Sequence, residues 1–258
     1  MKDLLRHARR ALRQAAYALA FPFYSLLSPK VGFAVFFPGP KGWRVWTRGR
    51  VIPVREPQLW ALEYFRHFVP RRGATVFDVG GELGLETEQF AGLVGEQGRV
   101  FVFECLPDHL KRLRELAGRY PQVEVVDRAC WNAPCRLEFF VGHTAGSGTA
   151  VVDARGQHGQ ALADVSTGSL LVTAEPLDDL WRRLLEGRPV DFLKMDIEGS
   201  EYEALDGATE LLRHTRHAVI AAYHLRDGVA TAPKVDERLR AAGFRTRIDE
   251  NNHVYAWR

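Results

Sequence analysis

The chain has 258 residues, of which 46% are hydrophobic and 26% are charged, which is typical of a soluble α/β domain with a sizeable core. These proportions exclude disordered and fibrous proteins. The net charge of +3, from 35 basic and 32 acidic residues, is too balanced for a general nucleic-acid binder, so we expect no nucleic-acid partner. The three cysteines, Cys105, Cys130 and Cys135, form no CxxC pair, which favours a reduced, cytoplasmic compartment.

The N-terminal residues combine a basic region, 1–14, with an apolar run, 15–27, that Pro22 interrupts. No run reaches the roughly 18–20 apolar residues of a membrane-spanning helix. The pattern resembles a signal peptide only superficially, because the basic region is long and no small-x-small cleavage site follows it. We interpret it as an amphipathic helix that docks on its own domain or on a partner subunit, with peripheral membrane contact as the alternative.

Proline and glycine punctuate residues 1–53, which predicts an N-terminal extension of short elements before a main domain over 54–258. Strand candidates lie at 31–37 and 43–46. A helical pattern then follows Pro57 and ends before the turn at 71–73.

From residue 74 onwards, strand-like and helix-like patterns alternate. Strands are predicted at 74–79, 99–104, 123–126, 191–196, 218–223, 244–248 and 253–257. Helices are predicted at 85–94, 107–118, 176–186, 200–213 and 233–242. Continuous apolar strands alternating with helices indicate a mostly parallel sheet with helices on both faces. The last two strands are so close in the chain that they form an antiparallel hairpin. The sequence thus predicts an α/β, Rossmann-like fold with a seven-stranded sheet.

One long connection, 142–169, is rich in Gly, Ala and Ser and lacks periodicity. Connections of this length are often lids or binding loops, so we expect a lid over the acceptor. Trp131 precedes this segment, at a place where adenine edges often lie in such sheets. His253 has no surrounding constellation and is expected at an ordinary surface or core position.

The first informative motif is the turn DVGGELG (78–84) after the first main strand. In an open parallel sheet, ligands bind beyond the carboxyl ends of the strands, and glycine lets the backbone approach them. The acid and glycine positions of the turn are Asp78, Gly80, Gly81 and Gly84. Carboxylates at Asp78, Glu82 and Glu86 repel a pyrophosphate, whereas a sulfonium amino acid tolerates them. This pattern favours S-adenosylmethionine over a dinucleotide.

Two further acids follow the next strands. Glu104 ends the second strand, 20 residues after Gly84, where a carboxylate can accept hydrogen bonds from both ribose hydroxyls. Asp127 follows the third strand and is a candidate to reach the adenine amino group, although a simple turn acid is the alternative.

The second informative motif is FLKMDIEGSE (192–201), a strand that ends in acids and continues into a helix. Ser200 with Glu203 forms a capping-box pattern, which is a sufficient structural reason for that serine. The pattern does not explain Asp196 and Glu198. Lys194 alternates onto the same side of the strand as Asp196, and we expect it to pair with an acid.

With these two motifs the sequence resembles the FkbM family of methyltransferases, whose hallmarks are a DVGxxxG turn and an FLKxDIEGxE segment. The likeness extends over about residues 74–257, including 173–180 and the Tyr223-His224 pair, and leaves out the N-terminal 50 or so residues. The resemblance implies a class I methyltransferase fold and methyl transfer from S-adenosylmethionine, usually to a hydroxyl oxygen of a sugar, glycan or natural product. Glu82 and Glu86 stand where the family usually has an Asn and an aromatic residue.

The reaction requires an aligned acceptor and removal of a proton from a weakly acidic hydroxyl. We expect Asp196 beside the methyl group and His224 next door as the candidate general base, with a structural histidine as the alternative. Asp196, Glu198 and His224 could instead share a divalent metal that lowers the pKa of the hydroxyl, although the sequence does not favour a metal.

Two other functional hypotheses remain open. The same cofactor could serve a nitrogen or nucleic-acid acceptor, although the sequence has neither a basic stripe nor a motif for amide nitrogen. The departures at Glu82 and Glu86 are also compatible with a degenerate methyltransferase-like binding module.

Overall fold

The computed structural model describes residues 34–39, 42–47, 50–54, 60–141, 149–152 and 168–258. The predicted N-terminal amphipathic helix, and the membrane or subunit contact expected of it, lie outside the described residues. In the part of the chain that is described, no helix is long and apolar enough to span a bilayer.

The strands are numbered along the described chain. They are β1 (Ala34–Gly39), β2 (Gly42–Thr47), β3 (Arg50–Val54), β4 (Thr75–Val79), β5 (Arg99–Glu104), β6 (Val123–Asp127), β7 (Ala129–Cys130), β8 (Cys135–Val141), β9 (Thr149–Val152), β10 (Gly168–Glu175), β11 (Val190–Met195), β12 (Thr215–Ala221), β13 (Leu225–Arg226), β14 (Val229–Ala230), β15 (Arg245–Ile248) and β16 (His253–Trp257).

The helices follow the same convention. They are α1 (Leu85–Val94), α2 (Pro107–Ala117), α3 (Leu177–Leu185), α4 (Glu201–Asp206), α5 (Thr209–Arg213) and α6 (Ala232–Ala241). A short 3-10 helix (Trp60–Phe65) precedes β4 where the sequence predicted a longer helical segment.

The central sheet has seven strands in the order β15-β16-β12-β11-β4-β5-β6. Its five strands from β12 to β6 pair in parallel, and β16 and β15 close it as an antiparallel hairpin. Alternate residues of β4 face opposite sides, since Phe77 packs with α3–α6 whereas Val76 packs with Phe90 of α1 and Leu113 of α2. The predicted α/β, Rossmann-like class is confirmed.

The N-terminal sheet, β1-β2-β3, is antiparallel and includes a strand, β3, that the sequence did not predict. Phe36 and Val45 are buried in the same apolar cluster as Val76. The sheet therefore packs on the main core. The predicted domain boundary after residue 53 falls at the end of β3 and stays a prediction.

A second sheet, ordered β7-β10-β8-β9, follows β6. The interpretation of 142–169 as one long connection is wrong at 149–152 and 168–169, which lie in β9 and β10, whereas its role as a lid stays a prediction. These strands form by long-range pairing, such as Ser169 with Phe140 and Ala150 with Phe140, which has no local sequence signal. Leu137 and Phe139 of β8 pack with Trp131 in a separate apolar cluster.

The predicted helix over 200–213 is two helices, α4 and α5. Gly207 lies between them, and a Cβ added there would lie 2.1 Å from the Trp131 carbonyl oxygen, so the chain turns at this contact. The predicted capping box is also wrong. Ser200 occupies the N-cap without a side-chain hydrogen bond, and Glu203 instead binds Arg226 at 2.8 Å.

Candidate active site

A cavity of about 280 Å³ opens at the carboxyl ends of β4, β5 and β11. Gly80, Glu82, Glu104, Asp196 and Glu198 line it, so the structure brings these predicted residues together. Its other lining residues include aromatic and titratable side chains, namely Tyr64, Glu86, His109, Trp131, Phe139, Tyr223 and His253. Trp131 lies where the sequence suggested, whereas the buried His253 was expected to have no place in a site.

The glycine turn is pressed against the Asp196 segment. Gly80 has φ +83°, and a Cβ added to it would lie 1.8 Å from the backbone oxygen of Asp196. The Gly80 and Gly81 amides donate to the Phe103 carbonyl oxygen at 3.0 and 3.2 Å. Gly81 and Gly84 face the side chain of Leu113 rather than the cavity. Glycine at position 80 is therefore required by close packing, while positions 81 and 84 serve helix packing.

Asp78 is fully buried beneath the cavity and does not line it. Its carboxylate accepts a hydrogen bond from Thr87 at 2.6 Å and pairs with Lys194 at 3.1 Å. Lys194 in turn donates to the Gly80 carbonyl oxygen at 2.5 Å. Burial alone would lower the pKa of Lys194, but Asp78 and Asp196 raise it overall. The predicted pairing of Lys194 is confirmed, and Asp78 holds the turn through it instead of touching a ligand.

Glu104 is held by a ring of donors. One carboxylate oxygen accepts from the Glu82 amide at 2.9 Å, and the other accepts from the Cys105 and Leu106 amides at 2.6 and 3.0 Å. The His109 ring lies 3.3 Å away. Burial raises the pKa of Glu104, but hydrogen bonds from His109 and these amides lower it overall, so the carboxylate is ionised at neutral pH.

Glu82 has φ +45°, a left-handed conformation that non-glycine residues rarely adopt except Asn and Asp. This backbone explains why an Asn is the more favourable residue at the position. Burial raises the pKa of the Glu82 carboxyl.

Asp127 does not line the cavity. Its side chain is half exposed and pairs with Arg114 at 3.0 Å. The expectation that it reaches adenine disagrees with this geometry, because the carboxylate turns outward to an α2 cation.

Asp196 has two unlike carboxylate oxygens. Oδ2 accepts hydrogen bonds from Tyr64 at 2.6 Å and Tyr223 at 3.2 Å. Oδ1 is buried and has no hydrogen-bond partner among the described residues. Tyr64 was not predicted, because it reaches Asp196 from the 3-10 helix, 132 residues away in the chain. Its only local signal is the apolar and aromatic pattern of that segment.

His224 lies among three carboxylates. Its Nδ1 is 3.0 Å from Glu201, and its Nε2 is 3.3 Å from Glu198 and 3.6 Å from Asp196. Burial lowers the pKa of His224, but these acids raise it to about 10. In the absence of another cation, these acids favour a protonated ring at neutral pH, which disagrees with the expectation of a general base.

Glu86 lines the cavity although it is only 8% exposed. Burial raises its pKa to about 7, with Lys194 opposing and Asp78 adding to the shift. The cavity floor therefore contains a carboxyl group that titrates near neutrality. All three cysteines are free thiols, and burial raises the pKa of Cys105 and Cys130, which disfavours their thiolate forms.

Comparisons with known proteins point to one family. A family model described as Methyltransferase FkbM domain matches residues 78–246. Among solved structures, an FkbM methyltransferase from Methylobacillus flagellatus KT is similar with a TM-score of 0.53 and 20% identity, over 77% of this chain and 48% of that one. The chain thus spans about half the length of that protein. A comparison with curated proteins finds no match.

Two further solved structures are similar at lower scores. A SAM dependent methyltransferase from Aquifex aeolicus has a TM-score of 0.44 and 19% identity, over 76% of this chain and 88% of that one. Aeropyrum pernix fibrillarin, solved with natively bound S-adenosyl-L-methionine, has a TM-score of 0.48 and 12% identity, over 87% and 98% of the two chains.

Proposed function

We propose that this chain, which belongs to the FkbM methyltransferase family, is an S-adenosylmethionine-dependent methyltransferase that methylates a hydroxyl oxygen of a sugar, glycan or other polyhydroxylated acceptor. The observation that carries the proposal is the free Oδ1 of Asp196. This buried carboxylate oxygen accepts no hydrogen bond within the described residues and belongs to a residue that lines the cavity. It can therefore accept a hydrogen bond from the hydroxyl group of an acceptor.

The part of the cavity lined by Gly80, Glu82 and Glu104, here called the donor half, fits the cofactor. The ionised Glu104 carboxylate lies where the ribose hydroxyls of the cofactor are expected. When bound, S-adenosylmethionine supplies an electrophilic methyl group on a sulfonium. The acids Glu82 and Glu86 suit its positive charges. We assign Gly80, Glu82 and Glu104 to direct cofactor binding, and Asp78 to positioning through Lys194.

The part of the cavity lined by Tyr64, Asp196 and Tyr223, here called the acceptor half, contains the groups that orient and deprotonate a hydroxyl. Tyr64 and Tyr223 hold Oδ2 of Asp196, which leaves Oδ1 to accept the hydrogen bond of the acceptor. The acceptor oxygen would displace the neutral thioether S-adenosylhomocysteine from the methyl carbon, and its proton would pass to Asp196. His224 positions Asp196 and Glu198 instead of removing the proton itself. The exposed aromatic ring of Tyr223 beside these acids is typical of sites that bind polyhydroxylated ligands.

The experiment incubates the protein with S-adenosylmethionine labelled on its methyl group and a panel of monosaccharides, glycan extracts and polyhydroxylated natural products. We expect label in an O-linked methyl group, identified by mass spectrometry and NMR. Label in an N-linked methyl group or in RNA would reject the acceptor class. Failure of the folded protein to bind S-adenosylmethionine at millimolar concentration, measured by calorimetry, would favour the binding-module hypothesis.

A further inference from the structure

Three electron-pair donors lie close together at the acceptor side of the cavity, two of them on residues that line it. They are Oδ1 of Asp196, a carboxylate oxygen of Glu198 and Nε2 of His224, and such atoms of the three residues all lie within 4.8 Å of one another. Nε2 and Oδ1 are buried without a hydrogen-bond partner among the described residues. Atoms of this kind repel one another unless a cation lies between them.

A proton on Nε2 does not satisfy this arrangement. A charge-assisted N–H···O bond is about 2.7–2.9 Å long. The nearest carboxylate oxygens are 3.3 Å (Glu198) and 3.6 Å (Asp196) from Nε2. These separations instead match the edges of a metal coordination shell: bonds of about 2.1 Å give ligand–ligand distances of roughly 3.0 Å in octahedral and 3.4 Å in tetrahedral geometry.

The residues behind His224 hold its ring in one orientation, as outer residues do around bound metals. Glu201 is fully buried and accepts a hydrogen bond from Nδ1 of His224 at 3.0 Å. When the ring is neutral, Nε2 therefore carries the lone pair, and it faces Asp196 and Glu198. Thr231 and the Gly199 amide also donate to the Glu201 carboxylate, at 3.2 and 2.9 Å. A buried carboxylate behind a ligating histidine is the usual outer partner of a metal site.

We propose that Asp196, Glu198 and His224 bind one divalent cation. Two carboxylates and one imidazole suit Mn²⁺ or Mg²⁺, and three protein ligands leave coordination positions open to the acceptor. The cation would lower the pKa of a bound acceptor hydroxyl, so that its proton is lost to solvent more easily. Oδ1 of Asp196 would then act as a metal ligand and no longer as the proton acceptor. This role rests on the proposed function, whereas the binding of the cation does not.

The test titrates Mn²⁺ into the full chain, purified through a chelator, and follows free Mn²⁺ by electron paramagnetic resonance without cofactor or acceptor. We expect one Mn²⁺ per chain at sub-millimolar affinity, with Mg²⁺ in excess competing for the site. His224→Ala and Glu198→Gln remove this binding. Glu201→Gln, which alters only the outer partner, weakens it about 10–100-fold. Glu124→Gln, at an exposed acid on β6, is the matched control and leaves it unchanged.

Glu198 is 32% exposed, so its variant keeps the test valid if His224→Ala fails to fold. Circular dichroism and S-adenosylmethionine binding verify the folded state of each variant. Absence of stoichiometric Mn²⁺ binding at about 1 mM total Mn²⁺ overturns the inference, as does equal binding by wild type and Glu198→Gln. Mn²⁺ binding without hydroxyl methylation rejects only the proposed function, and hydroxyl methylation without Mn²⁺ binding rejects only this site.

Discussion

The two halves of the cavity differ in how completely their carboxylates are satisfied. On the donor side, both oxygens of Glu104 accept hydrogen bonds from backbone amides within the protein itself. On the acceptor side, Oδ1 of Asp196 and Nε2 of His224 have no hydrogen-bond partner in the described chain. The donor half is therefore preorganised by the fold, whereas the acceptor half is completed only by what binds there.

The largest expected effect is at the contact between the two halves. Gly80→Ala places a methyl group 1.8 Å from the Asp196 backbone oxygen at a φ of +83°. We expect the free energy of unfolding to fall by about 3 kcal/mol or more, with loss of cofactor binding. Urea denaturation and calorimetry measure both. Gly73→Ala is the matched control, because its φ is +78° with nothing within 4 Å, and we expect about 1 kcal/mol.

The second prediction separates the halves by function. Asp196→Asn keeps the shape of the side chain but removes the proton acceptor, so we expect the methylation rate to fall about 10²–10⁴-fold. The dissociation constant for S-adenosylmethionine should change less than about 2-fold.

Glu104→Gln, on the donor side, should instead weaken cofactor binding about 10-fold or more. Weak cofactor binding by Asp196→Asn would contradict the assignment of Asp196 to the acceptor side.

The third prediction concerns Glu86, whose pKa is raised to about 7 by burial. The folded protein holds this proton more tightly than the unfolded chain, so the resulting stability is present below about pH 4.5 and lost as the pH rises through 7. Glu86→Gln removes that loss. Relative to wild type, its free energy of unfolding should rise by roughly 3 kcal/mol between pH 4.5 and pH 8. Parallel pH profiles of the two proteins, from urea denaturation, would refute the raised pKa.

The smallest expected effect is at Glu82. Glu82→Asn places a residue that tolerates the left-handed conformation at φ +45° and also removes an acid from the cavity. We expect a gain of roughly 0.5–1 kcal/mol in the free energy of unfolding, with cofactor binding retained. A loss of stability would show that the Glu82 side chain makes a contact that offsets the backbone cost.

Local patterns were sufficient for the central sheet. Apolar runs of β4, β5 and β11 separated by helical periodicity predicted a parallel sheet, because burial on both faces leaves a continuous apolar run in the sequence itself. The carboxyl ends of such strands meet at one edge, so Gly80, Glu104 and Asp196 could be placed together before any packing was known.

Packing decided which of the predicted residues line the cavity. The same strand-end position holds Asp127 in an exposed ion pair with Arg114 and Glu104 in a buried ring of amides. Asp78 lies below the cavity floor because a buried Lys194 from the neighbouring strand meets it there. Burial and ion pairing depend on residues far apart in the chain, which no local spacing encodes.

Length, alternation and strand-end chemistry by themselves indicated the fold class, the cofactor and the edge of the sheet where the cavity opens. Only the tertiary structure brought Tyr64 to Asp196 and surrounded His224 with Glu198, Glu201 and Asp196. The physical reason is the reach of each effect: strand and helix periodicity is set by neighbours in sequence, whereas the protonation of a side chain and its free lone pairs are set by every charge packed around it.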